Sequence, residues 1–156
     1  MAIKASDIMS RNVITAAPDD TIRQIAKIFV EHAISAVPIC DDKDHVLGII
    51  SEGDILLPLR RSAVQRRTRW LDLLAEGDSL SQDFIDYLKE TGRHADELMT
   101  KDVISATEET SLSELAELMV DRKIKRIPIL HDGHLVGIVS RADIVKALAN
   151  NPDAES

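Results

Sequence analysis

Residues 6–54 read SDIMSRNVITAAPDDTIRQIAKIFVEHAISAVPICDDKDHVLGIISEGD, and residues 96–143 read DELMTKDVISATEETSLSELAELMVDRKIKRIPILHDGHLVGIVSRAD. The second stretch repeats the first at an offset of 90 residues, which falls to 89 after a one-residue deletion in a turn. Met9 matches Met99, Val13-Ile14 matches Val103-Ile104, and Ala26 matches Ala116. Pro38-Ile39 matches Pro128-Ile129, Gly48-Ile49 matches Gly137-Ile138, Ser51 matches Ser140, and Asp54-Ile55 matches Asp143-Ile144. So many ordered matches with one deletion mark an internal duplication, and any fold assigned to one half must hold for the other.

Both halves read in the order β-α-β-β-α. A short extended piece, Asn12 to Thr15 in the first, precedes a loop. Thr21-x-x-Gln24 and Ser111-x-x-Glu114 are capping boxes that open helices. Ile22, Ile25, Ala26 and Phe29 then recur at helical spacing, as do Leu112, Leu115, Ala116 and Met119. Val37 to Cys40 and Val46 to Ile50 read as strands joined by a turn, which Asp132-Gly133 marks in the second half. Ser51 and Ser140 start a second helix. A repeat of about 50 residues buries only a modest core, so the two are expected to pack as a pseudo-symmetric α+β pair with a cleft between them. The expected organisation is a first repeat at 1–57, a helical insert at 58–94, a second repeat at 95–150 and a disordered tail at 151–156. The insert carries Arg60, Arg61, Arg66, Arg67 and Arg69, then Trp70, Leu73, Leu74, Phe84 and Leu88. That is too apolar for a loose linker, and two short amphipathic helices that pack are expected.

Composition narrows the function. Apolar residues make up 44% of the chain but aromatics only 3%, so the core must be built from Ile, Val, Leu and Ala. The net charge of -8, with no basic face along the chain, argues against general nucleic-acid binding. The N-terminus has no apolar signal region, and no apolar run approaches the roughly 20 residues of a membrane span. The single cysteine, Cys40, aligns with Leu130 and reads as core filler. A reducing cytoplasm is the expected location.

The chemistry points to Gly48-Ile-Ile-Ser-Glu-Gly-Asp54 and Gly137-Ile-Val-Ser-Arg-Ala-Asp143. In each, a strand delivers the chain to a helix start, where free N–H groups and the helix dipole favour a phosphate. The Ser hydroxyl adds a hydrogen bond, the Asp can accept two from a ribose diol, and the Gly admits a ligand or a neighbouring backbone. Taken alone, Ser-x-x-Asp reads first as a helix cap that needs no ligand; its recurrence in both repeats, each with Gly three residues before the Ser, weakens that reading.

The whole repeat resembles the CBS domain, and the pair resembles a Bateman module of the short bacterial stand-alone type with an Arg/Trp-rich insert. The residues that carry this are Asp7-Ile-Met9 and Glu97-Leu-Met99, the Val37-Pro38 and Ile127-Pro128 strands, and the two Gly-h-h-Ser-x-x-Asp motifs. The resemblance implies a regulatory ligand of the AMP, ADP or ATP class, with S-adenosylmethionine or NAD as further candidates, and no obligatory cofactor. It implies that Asp54 and Asp143 bind ribose hydroxyls and that Ser51 and Ser140 approach phosphate. Thr15, Ser105, Ala36, Val37, Arg126 and Ile127 would line the base and phosphate cleft. The resemblance also implies a homodimer that signals through conformational or oligomeric change to an effector protein.

The two sites differ in charge. Lys125, Arg126 and Arg141 flank the second motif where the first has Ser35, Ala36 and Glu52, so the second is expected to hold the more anionic ligand. His131-x-x-His134 lacks a third ligand at usual spacing, and no metal is expected there. No nucleophile, Walker loop or paired acid site stands out, so the chain is not read as an enzyme. The alternative function is a ligand-free interaction module that works through the Arg/Trp-rich insert.

Overall fold

A computed structural model describes residues 2–56 and 93–151. The helices expected in the insert, including Trp70, Leu73 and Phe84, and the tail beyond residue 151 lie outside the described residues. The elements run α1 (Ala5–Ile8), α2 (Ile22–His32), β1 (Ala36–Cys40), β2 (Val46–Ser51), a helical stretch at 52–56, α3 (Ala95–Leu98), β3 (Ala106–Thr107), α4 (Leu112–Arg122), β4 (Arg126–His131), β5 (His134–Ser140) and α5 (Arg141–Asn150). This is the α+β fold expected, with the same order in both halves.

Local chemistry repeats across the halves. Thr21 Oγ1 accepts from the Gln24 N–H at 3.2 Å, and Ser111 Oγ accepts from the Glu114 N–H at 3.2 Å, so both long helices open on a cap. Both end on a left-handed residue, Ala33 with φ 52° and Lys123 with φ 54°. Asp132 and Gly133 have φ of 50° and 82°, the geometry of a two-residue hairpin turn. In the matching turn of the first half only Asp44 takes a positive φ, 62°, within a loop one residue longer. The deletion in the alignment is therefore a change of turn type.

The sheets are small. β1 pairs with β2, and β3, β4 and β5 form a second sheet in that order. β3 runs parallel to β4, with Ala106 opposite Ile129, and β4 is antiparallel to β5. The first strand of each half differs from the expectation. Pairing in the first half starts at Ala16, as a parallel bridge to Ile39, and not across Asn12 to Thr15. Ala16 N–H donates to Pro38 O at 3.1 Å and Cys40 N–H donates to Ala16 O at 2.9 Å. Residues 12–15 precede this bridge without ladder pairing, where the chain passes from one compact unit to the other between Ile14 and Thr15. Helices α1 and α3 were not expected, because four residues are too few to show a period.

The described chain forms two compact units. The C-terminal unit holds residues 2–14, 41–46 and 102–151; the N-terminal unit holds 15–40, 47–56 and 93–101. The leading segment of each repeat thus belongs to the unit built mainly from the other repeat. In the C-terminal unit Ala5 N–H donates to Thr110 O, Ser6 N–H to Glu108 O, and Leu112 N–H to Ile3 O. In the N-terminal unit the equivalent bonds run from Ala95 to Asp20 O, from Asp96 to Pro18 O, and from Ile22 to Arg93 O.

The C-terminal unit buries Ala5, Met9, Leu112, Leu115, Met119, Ile127, Ile129, Val139, Ile144 and Ala147 in one cluster. The N-terminal unit buries Ile22, Ile25, Phe29, Val37, Ile39, Ile50, Ile55 and Ala95. Each full burial of a large aliphatic chain is worth about 1.5–3 kcal/mol, so these two clusters carry most of the stability.

Candidate functional site

Each Gly-h-h-Ser-x-x-Asp motif lies where a strand hands over to a helix. β2 ends at Ser51 and residues 52–56 are helical; β5 ends at Ser140 and α5 starts at Arg141. The first helical N–H is anchored the same way in both. Glu52 N–H donates to Ser35 O and Arg141 N–H to Lys125 O, each at 3.0 Å. The helix start is thereby fixed to the residues that lead into the proline strand.

The Ser and Asp side chains close on each other. Ser140 N–H donates to Asp143 Oδ2 at 2.8 Å, and Asp143 N–H donates to Ser140 Oγ at 3.2 Å. In the first motif Ser51 N–H donates to Asp54 Oδ2 at 2.9 Å, Ser51 Oγ–H adds a bond to the same oxygen at 3.1 Å, and Asp54 N–H reaches Ser51 Oγ at 3.4 Å. Both motifs are capping boxes. The cap occupies Oδ2 of each half-buried carboxylate and leaves Oδ1 outside the pairing. A ribose hydroxyl can meet that oxygen without opening the cap, so capping and ligand binding are compatible in geometry.

The glycines are fixed by packing. A Cβ on Gly137 would fall on Met9, 2.8 Å from its Cγ and closer to its Sδ. A Cβ on Gly48 would lie 2.6 Å from Met99 Sδ and 2.8 Å from Thr100 O. Ser10 and Ile138 exchange backbone bonds at 2.9 and 3.0 Å, and Thr100 and Ile49 do so at 2.9 and 3.0 Å. The side chain a glycine admits is therefore the methionine of a leading segment.

The remaining residues named from sequence fall into two groups. Val37 and Ile127 are fully buried and Ala36 nearly so; what they can offer a ligand is main chain. Thr15 and Arg126 are half-buried, and Ser105, Lys125 and Arg141 are exposed. Lys125 and Arg141 come together with Lys123, Met119, Val120 and Ile124 around a depression of about 320 Å³ in the C-terminal unit. Three of these lining residues are apolar and three are cationic. The equivalent positions of the first half are Phe29, Val30, Ala33, Ile34, Ser35 and Glu52, so the apolar wall recurs while all three cations are lost. Lys123 was missed from sequence. It is the left-handed residue that ends α4, and the signal for it was its alignment with Ala33. Among the described residues no group of three or more His, Cys, Asp or Glu is placed to hold a metal ion, and no helix is long and apolar enough to cross a membrane.

Comparison with known proteins agrees with this architecture. The CBS domain family matches residues 5–60 and 95–150. The chain belongs to the CBS domain family and carries two copies of the domain. It is 28% identical, over 92% of its length, to the inosine-5'-monophosphate dehydrogenase of Methanocaldococcus jannaschii, of which it spans 23%. It is 30% identical, over 93% of its length, to the uncharacterized protein MK0525 of Methanopyrus kandleri, of which it spans 62%. Among solved structures it resembles the CBS domain pair of protein MJ0100 in complex with 5'-methylthioadenosine and S-adenosyl-L-methionine. That likeness has a TM-score of 0.70 and 25% identity, and covers 96% of this chain and 98% of the other.

Proposed function

We propose that this CBS pair is a regulatory module that binds an adenosine-containing nucleotide of the AMP, ADP or ATP class at its strand-to-helix junctions and has no catalytic role of its own. The observation that carries the reading is the junction itself. In each unit a capped helix start presents one uncommitted carboxylate oxygen, from Asp54 or Asp143, beside a Ser hydroxyl. The likeness to a CBS pair solved with two adenosyl ligands supports the class of ligand. The cations Lys123, Lys125 and Arg141 favour the more phosphorylated ligand at the second junction.

The module works as a homodimer in this reading, and an effector protein reads its state. Val30 and Val120 occupy equivalent positions and are 83% and 76% exposed; Leu56 and Val145, again equivalent, are 49% and 64% exposed. Large apolar side chains held outward at matched positions of the two units fit surfaces that a second copy covers.

Calorimetry and thermal shift against AMP, ADP, ATP, S-adenosylmethionine and NAD test the ligand. A ligand at 100 times its dissociation constant stabilises by about 2.7 kcal/mol. No heat and no shift with any of the five would overturn the proposal and favour an interaction module.

A further inference from the structure

We propose that His45 and His134 together form a binding site for a divalent cation of borderline softness, such as Zn2+ or Ni2+. The two residues are equivalent positions of the duplicated halves. They face each other as an antiparallel bridge in the C-terminal unit, where the turn at 41–46 lies against the turn before β5. Their rings stack with centroids 4.7 Å apart and planes 27° from parallel.

The hydrogen bonds fix which nitrogen is available. His45 Nδ1 is 3.0 Å from Asp41 Oδ2, and His134 Nδ1 is 2.7 Å from Lys43 O. An ionised carboxylate and a carbonyl can only accept, so both Nδ1 atoms carry the proton. In its neutral form each ring then has its lone pair on Nε2, which neither partner touches. Histidines that ligate metals are held in this manner, with the far nitrogen on a carboxylate or a backbone carbonyl.

The surroundings favour a cation. Asp41, Asp42, Asp44 and Asp132 sit in the two turns, against Lys43 alone. His131 has its own partners, Glu108 at 2.9 Å and Asp132 at 3.5 Å. The His45 side chain is 44% exposed, leaving room for an ion and its waters. Zinc–nitrogen bonds near 2.0–2.1 Å in tetrahedral geometry need the two Nε2 atoms about 3.3 Å apart with converging lone pairs, so binding turns the two rings out of their stack. Two imidazoles without further protein ligands select Zn2+, Ni2+ or Cu2+ over Mg2+ or Ca2+. A bound ion would pin residue 45 to residue 134 and so fasten the first hairpin's turn to the second hairpin.

Titration of the chelator-stripped full chain with ZnCl2, by calorimetry and by following the histidine Hε1 resonances, tests this. The expected result is one ion per chain, with the His45 and His134 resonances perturbed together. His45→Ala and His134→Ala should each weaken binding by about tenfold or more, while His131→Ala, His94→Ala and MgCl2 in place of ZnCl2 serve as controls. Circular dichroism melts of the variants establish that they fold. No binding up to millimolar zinc, binding that survives either substitution, or binding lost in His131→Ala would each overturn the site.

Discussion

Met9 fills the space that a side chain at position 137 would occupy: its Cγ lies 2.8 Å from where the Cβ would stand. The same relation holds between Met99 and Gly48. Gly137→Ala and Gly48→Ala should therefore destabilise by about 1–3 kcal/mol, the usual cost of overpacking. Gly48→Ala should be the worse of the two, because the Thr100 carbonyl at 2.8 Å is backbone and cannot rotate away. Denaturant melts of Gly137→Ala alone and with Met9→Ala check the cause. The second substitution should cost less in the Gly137→Ala background than in the wild type.

The Ser-x-x-Asp junctions separate stability from binding. Ser140→Ala removes the acceptor for the Asp143 N–H and should cost about 1 kcal/mol of stability. Asp143→Asn keeps an oxygen for the Ser140 N–H, so its effect on the melt should be smaller than that of Asp143→Ala. On the proposed function both Asp143 variants should lose nucleotide affinity. Equal affinity for wild type and Asp143→Asn would mean that the carboxylate is a cap and nothing else.

Charge should rank the two junctions. Arg141→Glu gives the second junction the residue found at the first, and should weaken ATP by about tenfold, which is about 1.4 kcal/mol. Glu52→Arg should strengthen the first. The difference should shrink in high salt, since Lys123, Lys125 and Arg141 are all exposed. If Asp54→Ala abolishes nucleotide binding and Asp143→Ala spares it, the ranking is wrong.

Dimerisation should depend on the outward valines. Val120→Asp with Val145→Asp leaves the core of the C-terminal unit untouched, so the melt should change little. Sedimentation at micromolar concentration should shift from dimer to monomer. A wild-type chain that sediments only as monomer would remove the basis for this expectation.

One ion pair gives a signed pH effect. The hydrogen bond and the charge of Glu109, 2.6 Å away, raise Lys4 above its ordinary value. A raised folded value means that the pair stabilises fully below the unfolded value of 10.5, and that this is lost as pH rises through the folded one. Thermal melts of wild type and Lys4→Gln should differ slightly at neutral pH and converge at high alkaline pH. The gap should be small throughout, because the two side chains are 48% and 74% exposed.

Much of the fold was legible in the sequence. Cap signals at Thr21 and Ser111, apolar spacing from Ile22 and Leu112, and the Asp132-Gly133 turn placed helices and hairpins close to where they stand, because each rests on local chemistry; of the two expected capping boxes Thr21 closes the reciprocal pair with Gln24, whereas Ser111 caps from its own side chain. Long-range choices were not legible. Nothing in Ala5–Ile8 or Met9 shows that this segment lies against α4 and β5, since short helices have no period and a methionine packs on many surfaces. The Ser and Asp of each junction were named, but the cation at Lys123 was not, because its place follows from how α4 ends. His134 was weighed with His131 three residues away, whereas its ring meets His45, 89 residues earlier.

The exchange of leading segments also bears on how such a chain can be cut. A fragment of residues 95–151 would keep β4, β5 and α5 but lack Met9, leaving an open slot above Gly137 and an unpaired edge at Ile138. A synthetic peptide of residues 2–14 should fill that slot in trans, and its affinity would measure how strongly the slot holds the segment. Two such fragments could instead lend each other the segment that starts at Ala95, which would turn a link within one chain into a reciprocal link between two.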